Sequence, residues 1–348
     1  MAPQPGVISL PERHHAIDAT LLPQIIELYI STKLADGAIG KGTATTYRVQ
    51  LNPWFAFWQQ CEAIHQNALS PEILQRAYEW VRCSYRNQQG RHPAPMSVYD
   101  CFARLKQAFS WAFQNNCTGN INLAAWCPNM RQPTVNLYFP DLKDIERLLA
   151  APSGETRLRD VACMAFLLST AARRFETALA TVENLEFNTP LTNIEIGGDH
   201  TGSCWLRYTK GDAAGEGPGR DVVFCSVAGL LLKCYLRSTG RQSGRIFDLT
   251  DSGIGQLIEK HANSVGLPRI SPHAFRRLFS DHWDEVHGDA LRTVLKKQLG
   301  HSVRGGDITE KHYISRNRRR IVREITRYHV SPLGAIAIDW TQFPVHIP

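Results

Sequence analysis

The stretch SPHAFRR, residues 271–277, combines signals for the start of a helix with two side chains that can bind anions. Ser271 can cap a helix and Pro272 suits the first helical position, so the sequence predicts a helix that begins here. His273 and Arg276 then lie one helical turn apart, at an end where backbone N–H groups also point outward. Such a helix start attracts a phosphate. Because HxxR pairs are common, the meaning of this one depends on the rest of the chain.

The segments around this stretch predict a mainly helical region that contains a small sheet. Apolar spacing indicates helices over 141–151, 158–180, 251–264, 272–287, 290–299 and 315–327. Between them, NIEI (193–196), CWLRYTK (204–210) and DVVFC (221–225) alternate or run apolar in the manner of short strands. Glycine-rich turns separate these strands.

The N-terminal part of the chain predicts an all-helical bundle. Apolar residues recur at helical spacing over 21–34, 43–61, 71–86 and 96–116, and Pro53 is expected to kink or restart the second helix. We interpret the aromatic stripes of these helices as core packing rather than base stacking, because their spacing follows a buried face. From 117 to 140, Asn, Pro and Gly break every period, which indicates a linker.

Composition narrows the class of protein. The 348 residues exceed the usual size of one domain, so two domains are expected. Hydrophobic residues make up 43% and charged residues 20%, and no segment reaches the roughly 18 apolar residues of a membrane span. The N-terminus lacks a signal-peptide pattern and the nine cysteines are scattered without a CxxC pair, so we expect a cytoplasmic protein with reduced thiols. A net charge of +7 favours a polyanionic partner.

Two further candidates for chemistry lie upstream of SPHAFRR. Arg173 and Glu176 share a face late in the helix predicted over 158–180, so the carboxylate can orient the guanidinium. Lys210 ends the strand predicted at 204–210, just before a glycine-rich loop that leaves it reachable. Taken alone, an exposed ion pair and a solvent-exposed lysine are the simpler interpretations.

Two more candidates lie downstream. LGH at 299–301 contains His301, and ITEKHYI places Tyr313 beside the basic run SRNRRRIVR at 315–323. A core histidine satisfied by the backbone is the simpler interpretation of His301 by itself. Neither HExxH nor GxSxG occurs in the chain, which argues against a zinc metallohydrolase and against a serine hydrolase.

The order of these motifs is more specific than any one of them. In chain order they are Arg173xxGlu176, Lys210, His273xxArg276, Leu299-Gly300-His301 and Tyr313. With this order and approximate spacing the chain resembles the tyrosine recombinases, also called the phage integrase family. Tyr313 lies twelve positions after His301, a few more than is usual in that family, and Tyr328 is the alternative nucleophile.

The resemblance implies a fold and a domain layout. The fold is mainly α with a small antiparallel sheet (α+β), in which an N-terminal helical core-binding bundle precedes a tyrosine-recombinase-like catalytic domain. The layout comprises a leader over 1–20, a helical DNA-binding domain over 21–128, a linker over 129–140, a catalytic domain over 141–330 and a C-terminal tail over 331–348. The tail is apolar enough to need burial, on its own domain or on a neighbouring protomer.

The resemblance also implies a reaction, the breaking and rejoining of DNA without a metal ion, a cofactor or ATP. Arg173 and Arg276 would clamp the phosphate with His301 as a further donor, and Glu176 would support Arg173. Tyr313 would attack the phosphorus. In the family, the residue that matches Lys210 acts as general acid toward the leaving hydroxyl. The residue that matches His273 helps in proton transfer at the nucleophile.

The partner implied is double-stranded DNA, gripped by a homotetramer assembled on two DNA sites, with no role for a membrane. Candidate DNA-contacting residues are Lys41, Arg48, Arg104, Lys106, Arg316 and Arg319, and the basic run adds Arg318, Arg320 and Arg323. Two rival functions stay open from the sequence: strand relaxation of the type IB topoisomerase kind, and noncatalytic DNA binding in which the tyrosine is unused.

Overall fold

The computed structural model describes residues 22–60, 69–134, 138–195, 197–207, 219–300 and 318–336. The chain divides into two compact units, Met1–Asn136 and Leu137–Pro348. In the described ranges no helix is both long enough and apolar enough to cross a membrane.

Unit 1 contains four α-helices in its described part: α1 (Leu22–Ala35), α2 (Lys41–Gln60), α3 (Pro71–Cys83) and α4 (Pro95–Gln114). α2 continues through Pro53, so the expected restart of the helix is wrong. A proline inside a helix removes one backbone hydrogen bond, and the burial of neighbouring Trp54 offsets that loss.

The core of unit 1 is aromatic, as the sequence predicts. On α4 the predicted stripe of Val98, Phe102, Leu105 and Phe109 is buried, and its last member, Phe113, is 37% exposed. The aromatic residues of these helices therefore contribute to the core.

Unit 2 is built around a helix that is almost entirely buried. Its described helices are α5 (Leu142–Ala150), α6 (Arg157–Thr170), α7 (Arg174–Leu179), α8 (Ser226–Thr239), α9 (Asp251–Ser264), α10 (Pro272–His287), α11 (Arg292–Leu299) and α12 (Arg318–Tyr328). Every residue of α6 from Asp160 to Thr170 is buried. Periodicity did not predict α8, because its apolar run LLL has no helical spacing of its own.

The single helix predicted over 158–180 is wrong, because the chain turns sharply after Thr170. Ala171 has a left-handed conformation with φ of 52°, and α7 begins at Arg174. Left-handed backbone costs roughly 1–2 kcal/mol for a residue with a Cβ, so contacts elsewhere in the fold must hold this turn. No local breaker residue marks it in the sequence.

The sheet has three antiparallel strands in the order β1 (Leu185–Phe187), β2 (Gly202–Leu206) and β3 (Arg220–Phe224). Glu186 lies opposite Ser203, and Cys204 lies opposite Val222. Together with the helices this confirms the predicted fold class, mainly α with a small antiparallel sheet.

The strand predicted at 193–196 is wrong, because side chains take the backbone groups that a ladder would use. The Asn193 carbonyl accepts from Lys233 Nζ at 3.2 Å, and the Glu195 carbonyl bonds His200 Nε2 at 2.6 Å. Residues 193–195 are therefore part of a loop between β1 and β2.

Candidate active site

The turn between α6 and α7 brings Arg173 and Glu176 together. Arg173 lies at the N-cap of α7 with extended backbone rather than late in one continuous helix, so that expectation is corrected. Its backbone N–H donates to Glu176 Oε2 at 2.7 Å, and its Nη1 donates to Glu176 Oε1 at 2.7 Å. The side chain of Glu176 is 0% exposed and that of Arg173 is 27% exposed. The buried carboxylate thus orients a guanidinium that still reaches solvent.

Arg220, the first residue of β3, is a member of this cluster that sequence analysis missed. Its Nη2 donates to Glu176 Oε2 at 2.6 Å and its Nε to Glu176 Oε1 at 3.4 Å, while its Nη1 donates to the Gln298 carbonyl. The residue is only 8% exposed. An arginine in a strand whose residues are all buried is the signal here, but its partners are 44 and 78 positions away, so the sequence alone does not reveal it.

Gln298, near the end of α11, is a second missed residue. Its side chain is fully buried, and its Nε2 donates to the carbonyls of Thr170 at 3.0 Å and Val223 at 2.9 Å. Its Oε1 accepts from the Val223 N–H at 3.0 Å. One amide therefore ties α11 to both β3 and the end of α6.

Arg276 is held by two backbone carbonyls. Its Nη1 donates to the Ala171 carbonyl at 2.7 Å, and its Nη2 donates to the Leu299 carbonyl. The carbonyls at a helix C-terminus lack partners within the helix, and here side chains supply them. The carbonyl of Ser169 bonds His329, that of Thr170 accepts from Gln298 and that of Ala171 accepts from Arg276.

His273 lies in the first turn of α10, on the exposed side of the cluster. Ser271 takes the N-cap position, although its side chain caps no N–H group of the described residues. Partial burial lowers the pKa of His273, and the positive charges of Arg276, Arg173 and Arg277 lower it further. The ring is therefore neutral at pH 7 and able to accept a proton.

Charges within the cluster act on one another. Burial opposes ionisation of Glu176, but the charge and hydrogen bonds of Arg220 and the hydrogen bonds of Arg173 hold its pKa below the ordinary value. Burial lowers the pKa of Arg276 to about 9, and the charges of Arg220 and Arg173 act in the same direction. Among the described residues, two guanidinium groups contact one carboxylate and a third, Arg276, lies within reach of its charge, which leaves an excess of positive charge suited to an anion.

Four residues of the predicted site lie outside the described residues: Lys210, His301, Tyr313 and Arg316. The segments that carry them adjoin the cluster along the chain, since β3 begins at Arg220 and α11 ends at Leu299. Gly300, with φ of 63°, packs against Arg220, and a Cβ there would overlap the Arg220 side chain.

The alternative nucleophile Tyr328 ends α12, where its carbonyl accepts a hydrogen bond from His287 Nε2 at 2.8 Å.

The candidate DNA contacts of unit 1 differ in their surroundings. Arg48 Nε donates to Glu27 Oε2 at 3.0 Å. Arg104 donates to Gln50 at 3.0 Å and to the Tyr47 hydroxyl at 3.1 Å, with its guanidinium carbon 4.2 Å from the centre of the Tyr47 ring. Lys41 begins α2 on the surface, and Lys106 lines a shallow groove between α1 and α4.

The basic run after the predicted nucleophile contains two kinds of arginine. Arg318 donates to Asp221 Oδ1 at 2.8 Å, and its guanidinium carbon lies 4.0 Å from the centre of the Trp205 ring. Arg319 is exposed on α12. Within the part of the chain that the structure describes, no group of three or more His, Cys, Asp or Glu side chains is placed to hold a metal ion.

The sequence matches no protein-family model and no curated protein. Its structure, however, is similar to solved structures of recombinases. A XerH site-specific recombinase in a post-cleavage complex with its palindromic difH substrate gives a TM-score of 0.57 at 14% identity, over 88% of this chain and 98% of that one. A lambda integrase tetramer bound to a Holliday junction gives 0.53 at 13% identity, over 86% and 85%.

A third solved structure, a lambda integrase dimer bound to a COC′ core site, gives a TM-score of 0.52 at 13% identity, over 85% of this chain and 96% of that one. At this level of identity the similarity concerns the fold. The chain therefore has the fold of the tyrosine recombinases and integrases, as its motif order predicted.

Proposed function

We propose that this protein is a site-specific DNA recombinase or integrase, of the kind that mobile elements use, which cuts and rejoins DNA through a 3′-phosphotyrosyl intermediate. The observation that carries the proposal is that Arg173, held by the buried carboxylate of Glu176, lies close enough to Arg276 and His273 for their charges to interact, in a chain with a recombinase fold. Cleaving a phosphodiester requires that charge on the nonbridging oxygens be neutralised, and guanidinium groups do this with paired donors.

In the proposed reaction, the Tyr313 oxygen attacks the phosphorus while the bond to the 5′ oxygen breaks. The phenol proton passes toward the neutral ring of His273, and Lys210 donates a proton to the departing 5′ oxygen. Arg173, Arg276 and His301 stabilise the charge on the nonbridging oxygens. A 5′ hydroxyl of another strand then reverses these steps, so no ATP and no metal ion are required.

The proposed partner is double-stranded DNA, bound as a homotetramer on two sites. The net charge of +7 supports a polyanionic partner. The XerH and lambda integrase structures above are complexes with DNA, one of them a tetramer on a Holliday junction. We extend the same proposal to the domain roles, with DNA contacts from 21–128 and catalysis within 141–330.

A covalent-capture experiment tests this function. The protein is incubated with nicked duplexes that carry sequences selected for tight binding, and a protein–DNA adduct is sought by denaturing electrophoresis. We expect an adduct that disappears in Tyr313→Phe and persists in Tyr328→Phe. No adduct from the wild type on its selected site would overturn the proposal in favour of noncatalytic DNA binding.

A second assay separates recombination from relaxation. Two plasmids that each carry the selected site are incubated with the protein, and joined products are counted beside relaxed ones. We expect site-dependent joined products. Relaxation without joining would show a topoisomerase-like activity instead.

A further inference from the structure

We propose that Arg220, together with Gln298, is a positioning residue that fixes the separate elements of the candidate active site relative to one another. This inference rests on the proposed function. Neither residue belongs to the set that the motif order singled out, and each contacts elements that carry members of that set.

Arg220 joins three parts of the site through one guanidinium. Two of its nitrogens hold both oxygens of Glu176, the carboxylate that orients Arg173. Its third nitrogen donates to the Gln298 carbonyl near the end of α11. Its own backbone begins β3, one residue beyond the segment 208–218 that contains Lys210.

Gln298, on α11, connects the same elements through its side chain. Its side chain bonds Val223 on β3 and the carbonyl of Thr170, three residues before Arg173. The next carbonyl along α11, that of Leu299, accepts from Arg276. Arg220 and Gln298, both buried, thus link β3, the end of α6 and the end of α11.

The packing of Gly300 supports the same conclusion. This glycine adopts φ of 63°, and its Cα lies so close to Arg220 that a Cβ would overlap the side chain. The guanidinium that holds Glu176 therefore also packs against the residue that ends the described part of α11 and its cap. Two predicted catalytic side chains, Arg173 and Arg276, therefore contact groups that this buried pair of residues holds in place.

Shape, rather than charge, is what this role requires of residue 220. The guanidinium presents donors in a fixed plane that reaches Glu176 and the Gln298 carbonyl together, whereas an ammonium group is a point charge without such a fork. A misplacement of about 1 Å at an active site can cost about 100-fold in rate. We therefore expect Arg220→Lys to keep the neutralising charge and lose the alignment.

The test measures the rate of adduct formation and DNA affinity in Arg220→Lys and Arg220→Met, well below their unfolding temperatures. We expect adduct formation to slow by about 100-fold while the dissociation constant for DNA changes less than about threefold. The matched control is His261→Ala, which breaks the buried contact of His261 with Asp160 elsewhere on α6. This control should lose stability and keep the wild-type rate.

A second measurement needs no activity. Gly300→Ala is made in the wild type and in Arg220→Met, and the urea midpoint of each is compared. We expect the alanine to lower the midpoint more when Arg220 is present, because the overlap then exists.

Two outcomes would overturn the inference: a wild-type rate in Arg220→Lys, or equal effects of Gly300→Ala in both backgrounds. If the wild type itself forms no adduct, the proposed function fails, and the urea comparison still decides whether Arg220 braces this turn.

Discussion

The arginines of the cluster differ in burial, and in the proposed reaction this difference implies two roles. Arg220 and Arg276 are nearly buried and contact carbonyl or carboxylate oxygens of the protein. Arg173 keeps 27% of its side chain exposed and lies beside the exposed ring of His273. An incoming phosphate would therefore meet Arg173 and His273 first, and would meet Arg276 at the base of the site.

Two adjacent arginines on α12 give a first prediction. Arg319→Gln should weaken DNA binding and reduce the slope of log K against log salt by about 1, because an exposed phosphate contact is lost. Arg318→Gln should instead destabilise unit 2 by roughly 1–3 kcal/mol, because it leaves Asp221, which is 5% exposed, without this partner. Fluorescence anisotropy with a DNA duplex at several salt concentrations, and urea unfolding, measure the two effects. The prediction fails if Arg319→Gln lowers the stability and Arg318→Gln instead reduces the salt dependence of DNA binding.

His329 gives a second prediction, on stability against pH. Burial lowers the pKa of His329 from 6.5 to about 4, so the unfolded chain binds a proton more readily than the folded one. The stability of unit 2 should therefore fall as the pH drops from 6.5 to about 4. Because the residue as a whole is only half-buried, solvent screens part of this effect, and we expect a loss on the order of 2 kcal/mol.

Urea unfolding of the wild type across this pH range measures the loss. The control is His329→Gln, which can still donate to the Ser169 carbonyl but does not titrate there. If the urea midpoint of the wild type changes with pH as that of His329→Gln does, protonation of His329 is not the cause of the loss, and the prediction is contradicted.

At the level of single residues, the sequence indicated the site only where a motif exists. Arg173, Glu176, His273 and Arg276 were predicted from their spacing and order, and the structure brings them into one cluster. Arg220 and Gln298 could not be predicted in this way. Each makes contacts that only the folded chain creates, between residues 44 to 128 positions apart.

At the level of secondary structure, the C-terminus of α6 is the element on which the site depends. Three side chains from three other segments bond its last carbonyls, and the turn that follows delivers Arg173. Helices with clear apolar spacing, such as α9 and α10, were predicted with the bounds observed. The break after α6 was not predicted, because an alanine in left-handed conformation, held there by distant side chains, leaves no local signal in the sequence.

Two helical glycines of unit 2 give a third prediction. A Cβ on Gly229 of α8 would overlap the His200 carbonyl, so Gly229→Ala should destabilise unit 2 by about 1–3 kcal/mol or more. Gly255 of α9 meets only the far end of the Arg174 side chain, at 2.9 Å, which can move. Gly255→Ala should therefore be neutral or stabilise by up to about 1 kcal/mol through helix propensity. The urea midpoints of the two variants measure this difference. Equal losses of stability would show that Gly229 does not lie as close to the His200 carbonyl as the structure describes.

At the level of the whole molecule, each unit has its own hydrophobic core. The buried cluster that includes Leu105 lies within unit 1, and the cluster that includes Leu167 lies within unit 2. Composition and length predicted two domains, and the contacts divide the chain between Asn136 and Leu137.

Separate cores give a fourth prediction. Leu105→Ala and Leu167→Ala each remove a fully buried side chain and should each cost about 2–5 kcal/mol. Hydrogen exchange read by mass spectrometry should show the loss in α4 for the first variant and in α6 for the second. An equal loss of protection in both helices from either variant would mean that the chain unfolds as one cooperative unit.

The central claim is that Arg276 neutralises charge on the scissile phosphate, and cleavage of a scissile methylphosphonate tests it most directly. On an ordinary phosphate, Arg276→Ala should cleave at least about 100-fold more slowly than the wild type, because charge on a nonbridging oxygen loses its donor. On a neutral methylphosphonate at the same position, Arg276→Ala should recover most of that loss. Arg277→Ala, which removes the exposed neighbour that stacks on Phe139, should cleave both substrates like the wild type. An Arg276→Ala protein that is equally slow on both substrates would contradict the account.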